Sequence, residues 1–190
     1  MCDQNYLNFL HESGNLKSTE RTGWKRRFVP NFESVADHSW RMSLISMTFF
    51  DLPKNVDRNL AIKMSIIHDL PECKVGDLVT GIDIDEKSKH EKERSALNSL
   101  CSNLRSDDLK NIYNEYEERK TATAKFVKDL DRLEMACQAF EYQKKYGIKL
   151  TNEFYQSVRG KFYFKEVEKY FIELEAKNYE LDKLEDPTQK

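Results

Sequence analysis

The stretch LAIKMSIIHDLPE, residues 60–72, decides the fold and points to the chemistry of this chain. Its apolar residues recur at i, i+4 and i+7, which is the spacing of one buried helix face. These residues are Leu60, Met64 and Ile67. His68 lies on the same stripe and Asp69 follows it, so an apolar helix is predicted to carry an imidazole and a carboxylate near its end. Both groups are ligands for divalent metals.

The rest of the chain has the same helical pattern. Only 6 Gly and 4 Pro occur, and alternating β-branched residues are scarce. Ser34 and Asp37 form a capping-box pattern at one helix start, and Gly147 is placed as a C-terminal cap. The sequence therefore predicts an all-α fold. Helices are expected near 6–10, from 34 to about 50, from 55 or 56 to Pro71, and over 86–105, 106–118, 122–146, 152–158 and 163–178, with a loop over 72–85.

Length and composition limit the classes of function. The 190 residues suit one compact domain, predicted to be ordered from about 5 to 178 and frayed from 181 onward. A net charge of −2 argues against a nucleic-acid polymer as partner. No apolar run reaches a membrane span and the first residues lack signal-peptide features, so a cytoplasmic protein is predicted, with nuclear residence left open. The cysteines, at 2, 73, 101 and 137, form no C-x-x-C pair and are expected to be reduced thiols.

Two more metal-type residues lie on other predicted helices. His38 lies in the first turn of one helix, and Asp131 lies in the middle of a long, otherwise core-like helix. Because a buried unpaired charge is costly, a shared ion would account for both together with His68 and Asp69. On spacing alone, a set of unrelated polar residues on helix surfaces explains them equally well.

Longer motifs around these residues resemble a known family. The order His, then His-Asp, then Asp on successive core helices is the signature of the HD superfamily. The motifs are LKSTERTGW (16–24), ESVADHSWRM (33–42), IIHDLPECKVGDL (66–78), KDLDRLEM (128–135) and QAFEY (138–142), with Gly160-Lys-Phe further on. They are similar to the eukaryotic HD-domain-containing protein 2 family and its bacterial 5′-deoxynucleotidase relatives, over roughly residues 5–175.

This resemblance implies a fold, an activity and a set of site residues. It implies an all-α HD-domain bundle with a metal site between core helices, working as a homodimeric, divalent-metal phosphatase on deoxynucleoside 5′-monophosphates. The implied metal ligands are His38, His68, Asp69 and Asp131. It also implies Glu72 and Asp77 at the same site, with a second ion held together with the main-chain oxygen of Leu78.

The chain departs from the family pattern in the loop before the first ligand. Phe32 stands where the family usually has Pro, with Pro30 upstream, and Trp40 stands where Met or Leu-like residues are common. These changes affect the substrate-side loop and a packing position, so they bear on substrate preference more than on activity.

Glu72 and Asp77 are the predicted catalytic residues. Glu72 follows His68 by four residues, which is the same helix face if the helix continues past Pro71. It is therefore suited to orient or deprotonate the attacking water. Asp77 is suited to protonate the leaving 5′-oxygen or to support a second ion, and the sequence does not separate these roles.

An Arg-rich loop with Gly14 and Gly23 follows the first predicted helix, and three of its residues are the predicted substrate contacts: Arg21, Trp24 and Arg27. Guanidinium groups suit the phosphate, and the indole is able to stack on a base or sugar. The competing interpretations are solvated arginines beside acidic neighbours and a small satellite core around Trp24.

The ligand set and the fold leave the ion and the reaction class open. Nitrogen and oxygen ligands without thiolate favour Mn, Co, Fe, Ni or Mg over structural Zn. One competing function is an HD-type phosphodiesterase or nucleoside triphosphohydrolase. The other is a non-catalytic, metal-stabilised helical binding module. The presence of all four metal-type residues and both accessory carboxylates argues against it.

Overall fold

The computed structural model describes residues 4–102, 104 and 106–185, and within these residues the fold is all-α, as predicted. Besides a 3₁₀ turn at Gly14–Lys17, the described part contains two isolated bridges but no strand. The helices are α1 Gln4–Ser13, α2 Thr22–Lys25, α3 Val35–Thr48, α4 Arg58–Ile67, α5 Glu72–Val75, α6 Glu86–Cys101, α7 Asp108–Glu118, α8 Ala122–Tyr146, α9 Thr151–Val158 and α10 Lys165–Glu185.

Caps explain the helix ends that the sequence predicts well. The Ser34 side chain accepts from the Asp37 main chain, and the Asp37 carboxylate accepts from Ser34, so the predicted capping box is confirmed. Helix α8 has the predicted bounds, because Thr121 caps its start and Gly147 ends it in the left-handed conformation.

The prediction around Pro71 is wrong in two respects. Helix α4 ends at Ile67, so His68 is its C-terminal cap and Asp69 lies in the following turn rather than in the helix. Part of the predicted loop over 72–85 is helical, since Pro71 precedes the short helix α5. A proline is well tolerated at the start of a helix, where its missing N–H would have no helical partner.

The end of the chain also differs from the prediction. Helix α10 continues to Glu185, beyond the predicted end at 178, and Asp182 accepts a hydrogen bond from the Gln143 amide of α8. No Gly or Pro interrupts residues 165–185. The remainder of the segment predicted to fray, residues 186–190, lies outside the described residues, as does Cys2.

The main core lies where α3, α4 and α8 pack together, with α10 on the other side of α8. Met42, Met64, Phe126 and Leu130 are all fully buried in it. Burial of each such side chain contributes about 2 kcal/mol. Helix α8 is buried on most of its surface, so the polar groups that it carries inward need partners, and these partners form the site described below.

A second core, around Leu16, Val35 and Leu97, lies under α1 and α6. A third, small core holds the Arg-rich loop against α8 and α9 through Trp24, Val29 and Phe154. In the part of the chain described, no helix combines the length and the apolar character needed to cross a membrane.

Candidate functional site

The core helices bring two imidazoles and two carboxylates to one point. His38 Nε2 lies 3.3 Å from Asp131 Oδ1 and 3.9 Å from Asp69 Oδ2, and His68 Nε2 lies 3.1 Å from Asp69 Oδ2. One donor atom each from His38, His68 and Asp131 all lie within 4.8 Å of one another. The four residues come from α3, from the turn after α4 and from α8, so the site depends on the packing of the main core.

His68 is oriented by its own backbone. Its Nδ1 lies 2.9 Å from the Ser65 carbonyl oxygen, which accepts only from a protonated nitrogen. Nδ1–H therefore donates, and the lone pair of the neutral ring is at Nε2, which points towards His38 and Asp69.

His38 is oriented by a buried carboxylate that the sequence interpretation left without a role. Its Nδ1 lies 2.5 Å from Glu134 Oε2, and the other Glu134 oxygen accepts from Arg41 Nε at 2.7 Å. His38 and Glu134 are both fully buried. The sequence offered a signal for Glu134, since it lies three residues after Asp131 and so on the same face of α8.

Asp131 is held from the other side. Its Oδ2 accepts from Lys128 Nζ at 2.6 Å and lies 3.5 Å from the Tyr116 hydroxyl. Burial raises the pKa of Asp131, but Lys128 and His38 outweigh it and the net shift is downward. Asp131 therefore presents an ionised carboxylate with Oδ1 facing His38.

These residues fit a divalent metal. The Nε2 atoms of His38 and His68 are both buried without a hydrogen-bond partner among the described residues. A buried polar atom left in this way costs about 1–3 kcal/mol. Burial lowers the pKa of His38, yet Glu134 and Asp131 outweigh it and raise that pKa to about 10, so the local charge favours a cation. Two unpartnered imidazole nitrogens facing ionised carboxylates are a donor set suited to such an ion.

Glu72 and Asp77 line the same cavity of about 200 Å³ as His68, Asp69 and Asp131. Glu72 is 4 % exposed and its Oε2 has no hydrogen-bond partner among the described residues. Burial, together with the charges of Asp69 and Asp77, raises the pKa of Glu72. Glu72 therefore combines a free oxygen with a raised proton affinity.

Asp77 and Leu78 already have partners within the chain. Asp77 Oδ2 accepts from the Thr22 main-chain N–H at 2.7 Å, and the Asp77 carbonyl accepts from the Thr22 hydroxyl at 2.6 Å. The Leu78 carbonyl accepts from Lys89 Nζ at 2.8 Å. Two of the three groups predicted to hold a second ion are therefore tied to Thr22 and Lys89.

The three predicted substrate contacts have different surroundings. Arg21 Nη1 lies 3.6 Å from Asp69 Oδ2, so Arg21 reaches the site. Arg27 donates from Nε to Glu153 at 2.8 Å, and its guanidinium carbon lies 4.6 Å from the Phe154 ring centre. It lies away from the four clustered residues and faces a neighbouring cavity of about 410 Å³, which Arg21 and Asp77 also line.

Trp24 is 1 % exposed, which matches the satellite core that the sequence left as the alternative. Its ring lies 4.4 Å from that of Phe154 and 5.4 Å from that of Tyr142, and its Nε1 donates to Glu33 at 2.9 Å. The indole therefore fixes the Arg-rich loop on α8 and α9.

The family model described as "HD domain" matches residues 13–170 of the chain. This chain belongs to the HD-domain family. The family prediction is therefore confirmed, and with the clustered donors of His38, His68 and Asp131 it supports a divalent metal site in this HD-domain chain.

Curated relatives of this HD-domain chain carry the name 5′-deoxynucleotidase HDDC2. The Danio rerio protein is 40% identical over 167 residues, which cover 86% of this chain and 82% of the relative. The Homo sapiens protein is 39% identical over 174 residues, covering 90% and 84%. Among solved structures, a conserved hypothetical protein from Pyrococcus furiosus matches with a TM-score of 0.73 and 30% identity, covering 90% of this chain and 99% of that protein.

Proposed function

We propose that this chain is a divalent-metal-dependent 5′-deoxynucleotidase, which removes the 5′-phosphate from deoxynucleoside monophosphates. The main support for this proposal is the arrangement of two histidine side chains. Two buried imidazole Nε2 atoms without hydrogen-bond partners among the described residues face Asp69 and Asp131. The chain is 40% identical over 167 residues and 39% identical over 174 residues to two relatives named 5′-deoxynucleotidase.

His38, His68, Asp69 and Asp131 would hold the ion. A bound divalent ion lowers the pKa of coordinated water and neutralises charge that develops on a transferring phosphoryl group. The mixed nitrogen and oxygen donors suit Mn, Co, Fe, Ni or Mg, with Zn also able to bind. Glu134 and the Ser65 carbonyl fix both rings by accepting from Nδ1–H, so that both Nε2 atoms face the position proposed for the ion.

Glu72 is the proposed general base. Its free, buried Oε2 and its raised pKa suit it to take a proton from the attacking water. It lines the cavity beside His68 and Asp69, and no partner among the described residues competes for that oxygen.

Asp77 and Arg21 are proposed to position the substrate at the cavity of about 200 Å³ that His68, Asp69 and Asp131 line, which we call the metal-side cavity. Asp77 anchors Thr22, the residue next to Arg21, and thereby holds Arg21 near Asp69. This contact favours a positioning role for Asp77 over proton donation to the leaving oxygen. A second ion at Glu72, Asp77 and Leu78 would require Lys89 to leave the Leu78 carbonyl.

The adjoining cavity of about 410 Å³ is the proposed nucleoside site, since small-molecule sites have volumes of roughly 300–1,000 Å³. Apolar side chains of Val79, Ile82 and Phe154 line it for a base, and Arg27 lines the same wall. Trp24 also lines this cavity and packs against Phe154. A homodimer stays part of the proposal, supported by the family resemblance, and the cytoplasmic location stays a prediction.

The decisive experiment is a product assay with controlled metal. Chelator-treated protein is given dAMP, AMP, dATP or a cyclic nucleotide, with Mn, Co, Mg or no metal. Free phosphate from dAMP that depends on added metal is expected. Pyrophosphate or triphosphate release, or cleavage of the cyclic nucleotide alone, would point to the competing hydrolases and contradict the proposal.

Two histidine variants, one at the proposed site and one at the surface, test the role of the proposed ligands. His68→Ala is expected to abolish hydrolysis while leaving the helix content near that of the wild type. His11→Ala removes an exposed histidine of α1 and should retain full activity. Stabilisation by metal without hydrolysis of any substrate would instead favour a non-catalytic module.

A further inference from the structure

Arg119 ends helix α7 in the left-handed backbone conformation, with φ 51° and ψ 31°. Its N–H donates to the carbonyls of Glu115 and Tyr116. Residues with a side chain adopt this conformation rarely, and glycine is the usual choice at such a helix end. Position 119 is therefore occupied by an arginine although a glycine would adopt this backbone conformation with less strain.

The Arg119 side chain lines the same 200 Å³ cavity as His68, Asp69 and Asp131. Its Nε is buried without a hydrogen-bond partner, and within residues 4–102, 104 and 106–185 its guanidinium makes no ion pair. A guanidinium carries five N–H donors and stays charged, so one without a carboxylate partner is ready to bind an anion.

The other cationic side chains around this cavity are engaged. Arg21 faces Asp69 and Glu33, Lys128 donates to Asp131, and Lys89 donates to the Leu78 carbonyl. Each is held by groups of the protein itself. Arg119 differs from them, because no ion pair or side-chain hydrogen bond joins it to another described residue.

We propose that Arg119 binds the phosphate group of the substrate at the metal-side cavity. The proposal rests on the proposed function for the identity of the substrate, a phosphate monoester. Charge-assisted hydrogen bonds from a guanidinium hold phosphate oxygens and strengthen as negative charge develops on them. The sequence assigned phosphate binding to Arg21 and Arg27, whose guanidinium groups face Asp69 and Glu153.

Two variants separate the guanidinium from the backbone strain. Arg119→Gly relieves the left-handed conformation, so the fold should be at least as stable as in the wild type. Arg119→Gln keeps the conformation and removes the charge. Arg94→Gln is the control, because it removes the same charge from an exposed residue of the neighbouring helix α6.

The measurement is protection of the Mn-loaded protein against thermal unfolding by inorganic phosphate, which needs no turnover. Both Arg119 variants should bind phosphate about tenfold or more weakly than the wild type and the Arg94 control. In turnover assays, KM for dAMP should rise similarly, whereas inhibition by deoxyadenosine, which lacks the phosphate, should not change.

Each outcome is informative. Equal phosphate protection in all four proteins, or none in the wild type, overturns the role of Arg119. Weakened deoxyadenosine inhibition with normal phosphate binding would place Arg119 at the nucleoside and also overturn it. If phosphate binding depends on Arg119 but dAMP is not hydrolysed, the proposed function fails while the anion site stands.

Discussion

Glu134 Oε2 lies 2.5 Å from His38 Nδ1, although 96 residues separate the two in the chain. Both side chains are fully buried, and Arg41 holds the second Glu134 oxygen. A carboxylate behind a metal-binding imidazole fixes the ring and increases its basicity. The orientation of His38 is therefore built into the packing of α3 against α8.

Replacing Glu134 by Gln should weaken metal binding. The amide keeps the size of the side chain but not its charge, and loss of such a partner typically costs 10–100-fold in metal affinity. Titration of the chelator-treated protein with Mn measures this directly. Glu141→Gln is the control, since Glu141 also binds Arg41 but is half exposed. Equal affinities in the two variants would contradict the role given to Glu134.

Replacing Glu72 by Gln should slow the reaction without removing the metal. A general base contributes about 10²–10⁴-fold, so kcat should fall by at least about 10² while the Mn dissociation constant stays near that of the wild type. Glu91→Gln, at an exposed position of α6, should have normal kcat. A Glu72 variant with normal turnover would remove it from the mechanism.

Bound metal should stabilise the fold. The proposed ligands come from three separate parts of the chain, so only the folded chain holds them together. An ion at 100 times its dissociation constant therefore adds about 2.7 kcal/mol to the free energy of unfolding. For a chain of this size that corresponds to a rise in Tm of about 5–10 °C. Calorimetry with and without Mn should show this rise in the wild type and lose most of it in His38→Ala. A Tm that does not respond to any divalent ion would argue against a shared site.

Asp129 joins α8 to the start of α10 and should be important for stability. Its buried carboxylate accepts from the main-chain N–H groups of Tyr163 and Phe164 and pairs with Arg132. Asp129→Ala leaves these donors without a partner and should lower the free energy of unfolding by about 3 kcal/mol. Asp129→Asn keeps part of the bonding and should cost less. Denaturant unfolding measures both losses.

A surface ion pair provides the comparison for Asp129. Asp51→Ala removes an acidic partner of the exposed Lys169 on α10, and such pairs contribute little. If the Asp51→Ala and Asp129→Ala variants lost the same free energy of unfolding, the buried Asp129 carboxylate would not be important for stability.

The sequence predicts the helices where their caps are local. Gly147 predicts the end of α8, and the apolar repeat of Leu60, Met64 and Ile67 predicts α4. The placement of Asp69 in a turn was not predictable from periodicity, because the same stripe continues to Pro71. Helix α4 nevertheless ends at Ile67.

The site was predictable only in part for a similar reason. The family motifs name His38, His68, Asp69 and Asp131, and the structure brings them together. The partners that orient or engage them come from distant helices. Neither the pairing of Glu134 with His38 nor the bond from Lys89 to the Leu78 carbonyl follows from spacing along the chain.

The most direct test is anomalous diffraction from crystals of the Mn-loaded protein, collected at the Mn absorption edge. The proposed metal site predicts a single strong peak within about 2.5 Å of His38 Nε2, His68 Nε2 and an oxygen of Asp131, with Asp69 beside it. A strong peak elsewhere, or none in crystals of protein that hydrolyses dAMP, would contradict it.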